Sequence, residues 1–123
     1  MNMKAIRPML WTGQVRETIN FYEQLGFTCA AYSESWHWAA LQRDEVEIMV
    51  CLPPDSEAMK QPAFTGSLYI LLDEGVDQLW EVLKTKANIC YAPETFAYGM
   101  REFALYDNNG YLLQFGQEVI AVD

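Results

Sequence analysis

Apolar and polar positions follow two different periods along this chain, and the same order of periods occurs twice. In each half, an apolar strand-like run precedes a segment whose apolar residues recur every three or four positions, as on one face of a helix. Three further strand-like runs follow, separated by turn residues. The pattern therefore predicts a strand, a helix and three strands, repeated at an offset of roughly 60 residues.

The predicted elements give an α+β fold class of two βαβββ modules. The first module, about 1–52, has its predicted strands and helix at 5–12, 15–25 (helix), 27–33, 36–42 and 46–52. Residues 53–66 contain three prolines and end in a glycine, which predicts a linker. The second module, 67–117, has its elements at 67–73, 75–87 (helix), 88–92 and a hairpin at 101–117, and 118–123 form a tail.

Three segments of the chain resemble the vicinal oxygen chelate superfamily, which includes glyoxalase I, extradiol dioxygenases and bleomycin-resistance proteins. These segments are 15–27, with its Phe-Tyr and Leu-Gly-Phe pieces, then 66–77, and finally 99–115. The sequence Gly-Met-Arg-Glu-Phe at 99–103 resembles the bleomycin-resistance branch in particular. The resemblance implies one domain of paired βαβββ modules over 1–123. Each module would form a half-open barrel around a pocket, and the barrel is usually completed in a homodimer.

The resemblance also implies four positions at which metal-dependent members carry ligands. In this chain they hold Arg7, Met49, Ser67 and Gln114. A guanidinium stays protonated and cannot ligate a metal, and Gln114 is a neutral and weak ligand. Glu47 lies on the same strand face as Met49 and forms, with Gln114, only a weak alternative site. We therefore expect no metal and no other cofactor, and we favour a protein without enzymatic activity over an enzyme.

Strand alternation predicts an apolar, aromatic pocket with few polar groups, which is the usual composition of a small-molecule site. Trp36 and Trp38 are expected to share one face of the third strand, with His37 between them as a partly exposed strand residue. Dimer-interface packing is the alternative role for the aromatic residues. For Arg101, an ion pair with Glu102 is the alternative to ligand binding. The candidate ligand-binding residues are Trp11, Trp36, Trp38, Met49, Tyr69, Phe96, Tyr98, Met100, Arg101 and Gln114.

Charge and cysteine content narrow the class of protein. The net charge is −9 and basic clusters are absent, so we expect no nucleic acid as partner. An acidic surface favours a cationic ligand, or serves solubility alone. No apolar run approaches the roughly 20 residues that span a bilayer, and we expect no signal peptide, because an apolar core segment does not follow Met1 to Lys4. Three cysteines without a C-x-x-C motif suit reduced thiols, so we expect a soluble, cytoplasmic protein without a membrane partner.

These observations together predict a non-catalytic protein that sequesters an aromatic or cationic small molecule. The resemblance to bleomycin-resistance proteins, which confer antibiotic resistance by binding, implies this function. The alternative is a metal-dependent lyase, isomerase or dioxygenase of the same superfamily.

Overall fold

The computed structural model describes residues 1–53, 64 and 66–119. The chain divides into two compact units, Met1–Pro62 and Ala63–Asp123, which we call module one and module two. Most of the predicted linker 53–66 and of the tail 118–123 lies outside the described residues. Within the described residues, every helix is too short or too polar to cross a membrane.

In its described residues, module one contains one helix and a four-stranded sheet. Its elements are β1 (Met9–Trp11), α1 (Val15–Gln24), β2 (Thr28–Ser33), β3 (Trp38–Arg43) and β4 (Val46–Cys51). The strand order is β1-β4-β3-β2. The first strand runs parallel to β4, and the other two pairings are antiparallel.

Module two repeats this topology. Its elements are β5 (Leu68–Leu72), α2 (Val76–Leu83), β6 (Asn88–Thr95), β7 (Met100–Tyr106) and β8 (Leu112–Glu118). The order is β5-β8-β7-β6, again with one parallel pairing, between β5 and β8. The predicted α+β fold of two βαβββ modules is confirmed.

In each module the helix covers one face of the sheet, and the core lies between them. Strand residues alternate between faces, so every second residue reaches this core. In module one the buried residues include Leu10, Tyr22, Leu41, Ile48 and Val50; in module two they include Leu83, Phe103, Leu105, Leu113 and Phe115. Among the described residues, no helix of the same module lies against the other face of each sheet, and we call it the uncovered face.

The start of β3 differs from the prediction. Trp36 and His37 lie in a turn, where Ser33 Oγ accepts from the Trp36 N–H at 3.3 Å and His37 has a φ of 49°. The strand begins only at Trp38. The prediction that Trp36 and Trp38 share a strand face is therefore wrong, as is the strand position of His37.

Three other elements also differ in length from the prediction. The first strand spans only Met9–Trp11, because Pro8 has no N–H with which to extend the pairing. The second helix ends at Leu83 rather than at residue 87. Strand β6 continues through Pro93 to Thr95, where a loop was predicted. This strand is the edge of its sheet and its register shifts between Tyr91 and Glu94, and both conditions tolerate a proline.

The predicted turn at 107–110 joins β7 to β8. Asp107 Oδ1 accepts from the backbone N–H groups of Asn109 and Tyr111, both at 2.9 Å, and Gly110 has a φ of 96°. An aspartate that binds the backbone ahead of it and a glycine at positive φ together favour a tight turn. The turn fixes the register of the hairpin, and this register positions the site described next.

Candidate functional site

Strand pairing brings two rows of residues together on the uncovered face of module two. Directly paired residues of neighbouring strands point to the same face of a sheet. The first row, across β5, β8 and β7, is Tyr69, Gln114 and Ala104. The second row is Leu71, Gly116 and Glu102.

Glu102 is a buried carboxylate at the centre of this face, with 2% of its surface exposed. Its oxygens accept hydrogen bonds from the hydroxyls of Tyr69 and Tyr98, and from the Tyr91 hydroxyl at 3.2 Å. These tyrosines come from β5, from β6 and from the loop between β6 and β7. A buried charge is tolerated when hydrogen bonds compensate it, and bonds to a charged acceptor are the stronger kind.

Gln114 extends this network towards β5. Its Nε2 donates to the Tyr91 hydroxyl at 2.9 Å, and its Oε1 accepts from the Ser67 hydroxyl. Ser67 lies immediately before β5. Ser67 and Gln114, which occupy two of the four positions where metal-dependent members carry ligands, are therefore bonded to each other, and Gln114 is bonded to Tyr91. We call Ser67, Tyr69, Tyr91, Tyr98, Glu102 and Gln114 the Glu102 cluster.

Gly116 leaves the space in which Tyr69 lies. A Cβ added at Gly116 would sit 1.9 Å from the Tyr69 hydroxyl oxygen and 2.6 Å from the ring carbon that carries it. Any side chain at this position would collide with the Tyr69 hydroxyl. Glycine is needed here for space, and the bond from Tyr69 to Glu102 depends on it.

The tyrosine hydroxyls of the cluster keep their protons at neutral pH. The hydrogen bond to Glu102 raises the pKa of Tyr98 from 10.0 to about 12. Burial, followed by the bond to Glu102, raises the pKa of Tyr69. Burial also raises the pKa of Tyr91. The three side chains therefore act as hydroxyl donors towards Glu102 and not as phenolates.

An aromatic surface adjoins the cluster. The rings of Phe96 and Tyr98 are stacked, with centroids 5.3 Å apart and planes 2° from parallel. Tyr91 meets Phe96 edge-on, with the centroids 5.9 Å apart. Tyr98 is 65% exposed, and Met100 lies two residues before Glu102, on the same face by strand alternation. This part of the module offers flat apolar area beside a buried charge.

Arg101 lies on the opposite side of β7 from Glu102. Its Nε donates to Asp77 Oδ2 at 3.0 Å, its Nη2 donates to Asp77 Oδ1 at 2.9 Å, and its Nη1 reaches the Thr95 hydroxyl at 3.1 Å. The predicted pairing of Arg101 with Glu102 is wrong, because successive strand residues point to opposite faces. The guanidinium instead joins β7 to α2.

The uncovered face of module one carries apolar side chains at the matching positions. One row across β1, β4 and β3 is Met9, Met49 and Ala40, and the next is Trp11, Cys51 and Trp38. Trp11 is 50% exposed, while Trp36, in its turn, is 78% exposed. Trp11, Trp38 and Met49 therefore share a face, whereas Trp36 lies in the turn before β3.

A separate cavity of about 250 Å³ lies at the start of α1. Arg16 is part of its lining, pairs with Glu34 at 3.1 Å and lies 5.7 Å from the Tyr32 ring centroid. His37 also lines this cavity. None of the predicted ligand-binding residues does.

The model of the Glyoxalase/Bleomycin resistance protein/Dioxygenase superfamily matches residues 5–115 of the chain. The chain belongs to this superfamily. Among solved structures, it is similar to the bleomycin resistance determinant encoded on the transposon Tn5, with 24% identity, a TM-score of 0.78, and coverage of 96% of this chain and 100% of that one. It is also similar to a bleomycin-binding protein complexed with bleomycin, with 25% identity, a TM-score of 0.73, and coverage of 94% and 99%.

Enzymes of the superfamily are also among the similar structures. A lactoylglutathione lyase from Agrobacterium tumefaciens has 11% identity, a TM-score of 0.70, and coverage of 94% of both chains. At this identity the similarity concerns the fold alone. No curated protein sequence matches the chain.

The residues at the superfamily's metal positions do not fit a metal-ligand set. Arg7 is a permanent cation and forms an ion pair with Glu47, the alternative ligand. Met49 offers only a thioether, which suits soft metals. The one ligating atom of Gln114, Oε1, accepts from Ser67. In the described part of the chain, no group of three or more His, Cys, Asp or Glu side chains could hold a metal ion.

Sequence reasoning missed Glu102 and Tyr91 as site residues. Glu102 directly follows Arg101, and this adjacency suggests an ion pair instead of a ligand site. Strand alternation would have assigned it to the face opposite Phe103, which is the face of Gln114 once the hairpin register is known. Tyr91 carries no such signal, because a register shift separates it from its neighbours on β6.

Proposed function

We propose that this protein binds an aromatic or cationic small molecule and sequesters it without chemical change. The observation that carries the proposal is the Glu102 cluster, in which a buried carboxylate lies beside the stacked rings of Phe96 and Tyr98. The similarity to a bleomycin-binding protein complexed with bleomycin supports the same function. Resistance to an antibiotic of this kind is the biological role that we propose.

The physical basis of binding needs no reaction. Stacking a planar ligand on Phe96 and Tyr98 removes apolar area from water. A cation over these rings gains further attraction from their π-faces. The net charge of −9 adds a long-range attraction for cations.

The raised pKa values of the cluster's tyrosines argue against these side chains as general bases. A tyrosine that acts as a general base needs a pKa near the working pH. The pKa values of Tyr69, Tyr91 and Tyr98 are all raised, so the phenolate that would accept a proton is scarcely populated at neutral pH. The metal-dependent alternative would also require a ligand set that Arg7 and its partner Glu47 do not provide.

On this proposal, the ligand contacts the predicted residues on the uncovered face of module two: Tyr69, Phe96, Tyr98, Met100 and Gln114. Trp11, Trp38 and Met49 of module one stay predicted contacts, and so does Trp36. Arg101 is a weaker candidate, because it is engaged with Asp77. The homodimer and the cytoplasmic location also stay predictions.

A thermal-denaturation screen tests the proposal. Bleomycin and a panel of planar aromatic cations would be added to the purified chain. A ligand at about 100 times its dissociation constant stabilises the folded state by about 2.7 kcal/mol. We expect at least one compound to raise Tm in the wild type and to lose this effect in Phe96→Ala. The control Val82→Ala, on the exposed side of α2, should retain it. Equal shifts in both variants would contradict binding at this face.

A further inference from the structure

We infer that the Glu102 cluster selects its ligand by hydrogen-bond direction and takes a cationic donor, such as a protonated amine or an amidinium group. This inference rests on the proposed function and deepens it, because it makes Glu102 a specificity-determining residue. The argument depends on where each hydroxyl hydrogen of the cluster points.

The first step concerns the two exposed tyrosines of the cluster. A tyrosine hydroxyl has a single hydrogen to donate and lone pairs with which to accept. Tyr69 and Tyr98 both donate that hydrogen to Glu102. The ligand is placed at the Tyr98 oxygen, because this side chain is 65% exposed, whereas the Tyr69 hydroxyl lies against Gly116. A ligand there meets lone pairs, and it must supply the hydrogens itself.

The second step concerns the chain of bonds through Tyr91. Because the Tyr91 hydrogen goes to Glu102, its oxygen accepts from Gln114 Nε2. The amide oxygen of Gln114 then accepts from Ser67. Every hydrogen in this chain points towards Glu102, and the outer end is again an oxygen lone pair, that of Ser67. The second amide hydrogen of Gln114 is the remaining side-chain donor of the cluster.

The third step is electrostatic. Glu102 is 2% exposed, so its charge acts on a ligand through the polarised hydroxyls around it. Glu94, an exposed residue of β6, lies directly opposite Glu102 in the strand register and adds negative charge. The nearest guanidinium along β7, that of Arg101, is turned away and bound to Asp77. An anionic ligand would face lone pairs and negative charge together, whereas a cationic donor would satisfy both.

The fourth step sets the shape of the ligand. The Tyr98 ring stacks on Phe96, and the Tyr98 hydroxyl at the edge of this aromatic pair donates to Glu102. A flat ring that carries its cationic donor at one edge can stack on these rings and direct its N–H groups at the Tyr98 oxygen. The ligand class is therefore a planar aromatic cation with hydrogen-bond donors.

The test compares three compounds of one shape: naphthamidine, naphthamide and naphthoate. Titration calorimetry of the wild type should give an order of affinity from amidinium to amide to carboxylate. We expect the amidinium to bind about 10-fold or more tightly than the amide, which corresponds to about 1.4 kcal/mol. Naphthoate binding as tightly as naphthamidine would overturn the inference and leave the proposed function standing. If none of the three compounds and none of the panel above binds, both proposals fail.

Two variants locate the selectivity. Glu102→Gln keeps the size of the side chain but removes its charge, and the preference for the amidinium should fall below about 3-fold. Asp77→Asn removes one negative charge on the other side of β7 and is the matched control, which should keep the wild-type preference. Tyr98→Phe keeps the ring and removes one outward acceptor, so it should weaken the amidinium more than the amide even if Glu102→Gln folds poorly. An unchanged preference in both Glu102→Gln and Tyr98→Phe would contradict the inference.

Discussion

Modules one and two have the same strand order, yet their uncovered faces carry different chemistry. The helix-covered faces are apolar in both, because each must bury its sheet against a helix. On the uncovered faces, matching rows can be compared position by position. They are Met9, Met49 and Ala40 against Tyr69, Gln114 and Ala104, and then Trp11, Cys51 and Trp38 against Leu71, Gly116 and Glu102.

The difference shows which positions the fold leaves free. The helix-facing residues are constrained to stay apolar, whereas the uncovered rows hold indoles and thioethers in one module and a buried carboxylate in the other. Trp38 stands where Glu102 stands in the repeat, and Cys51 stands where Gly116 does. On the proposed function, ligand binding would depend on a few positions of the uncovered face, and substitutions at matched positions should have different effects in the two modules.

The largest expected difference is at the centre of the second row. Gly116→Ala displaces Tyr69 from Glu102 and should lower the free energy of unfolding by about 1–3 kcal/mol, since it adds a collision and removes a bond to a charged group. Cys51→Ala, at the matched position of module one, should cost less than about 1 kcal/mol, because it removes a single half-buried sulfur atom. Urea unfolding of both variants measures the contrast. Equal losses in unfolding free energy would contradict the claim that Gly116, unlike Cys51, is needed to keep a bonded side chain in place.

An effect of intermediate size on the free energy of unfolding is expected at high pH, and it arises from Tyr98 in module two. The pKa of Tyr98 is raised from 10.0 to about 12, so its protonated form is favoured in the folded state. This contribution to stability is fully present below pH 10 and is lost as the pH rises to about 12. Denaturant unfolding across this range, with tyrosinate absorbance as a second signal, should show the loss. Glu102→Gln should make the dependence shallower, and an unchanged curve would remove Glu102 as its cause.

The smallest effect is expected on the helix side of module two. Arg101 and Asp77 are 33% and 59% exposed, and such pairs contribute about 0–1 kcal/mol. A double-mutant cycle of Arg101→Met and Asp77→Asn should give a coupling energy in this range. Neither variant should change ligand affinity by more than about 2-fold, because both residues lie across the sheet from the Glu102 cluster. A large loss of ligand affinity in Arg101→Met would instead identify Arg101 as a ligand-binding residue.

Much of the fold could be predicted, because its signals are local. Each strand and helix has its own period, and the Asp107–Gly110 turn carries its own backbone bonds. The start of β3 could not be placed, since Trp36 and Trp38 read as one apolar run. The turn that delays the strand is held by bonds from the Trp36 N–H to Ser33 Oγ and from the His37 N–H to the Glu34 carbonyl. Periodicity thus predicts the element, whereas its ends depend on individual hydrogen bonds that periodicity does not record.

The site was less predictable, because its members come from separate elements. Strand alternation indicated the face of Gln114 and Tyr69 from the sequence. The convergence of Tyr69, Tyr91 and Tyr98 on Glu102 depends on strand order and on the space above Gly116, and no spacing along the chain records either. A buried carboxylate in a strand is nevertheless a signal that could have been used, since it must find partners.

The central claim is that this protein holds a ligand without transforming it, and recovery of the bound compound tests this most directly. Bleomycin, or the planar aromatic cation with the largest effect on Tm, would be equilibrated with the protein across a dialysis membrane. The protein side would then be denatured and its contents identified by mass spectrometry. We predict that the compound accumulates on the protein side in proportion to protein concentration and is recovered with its mass unchanged, with or without added divalent ions. Conversion to a product of different mass, dependent on a divalent ion and lost in Gln114→Ala, would contradict the account and identify an enzyme.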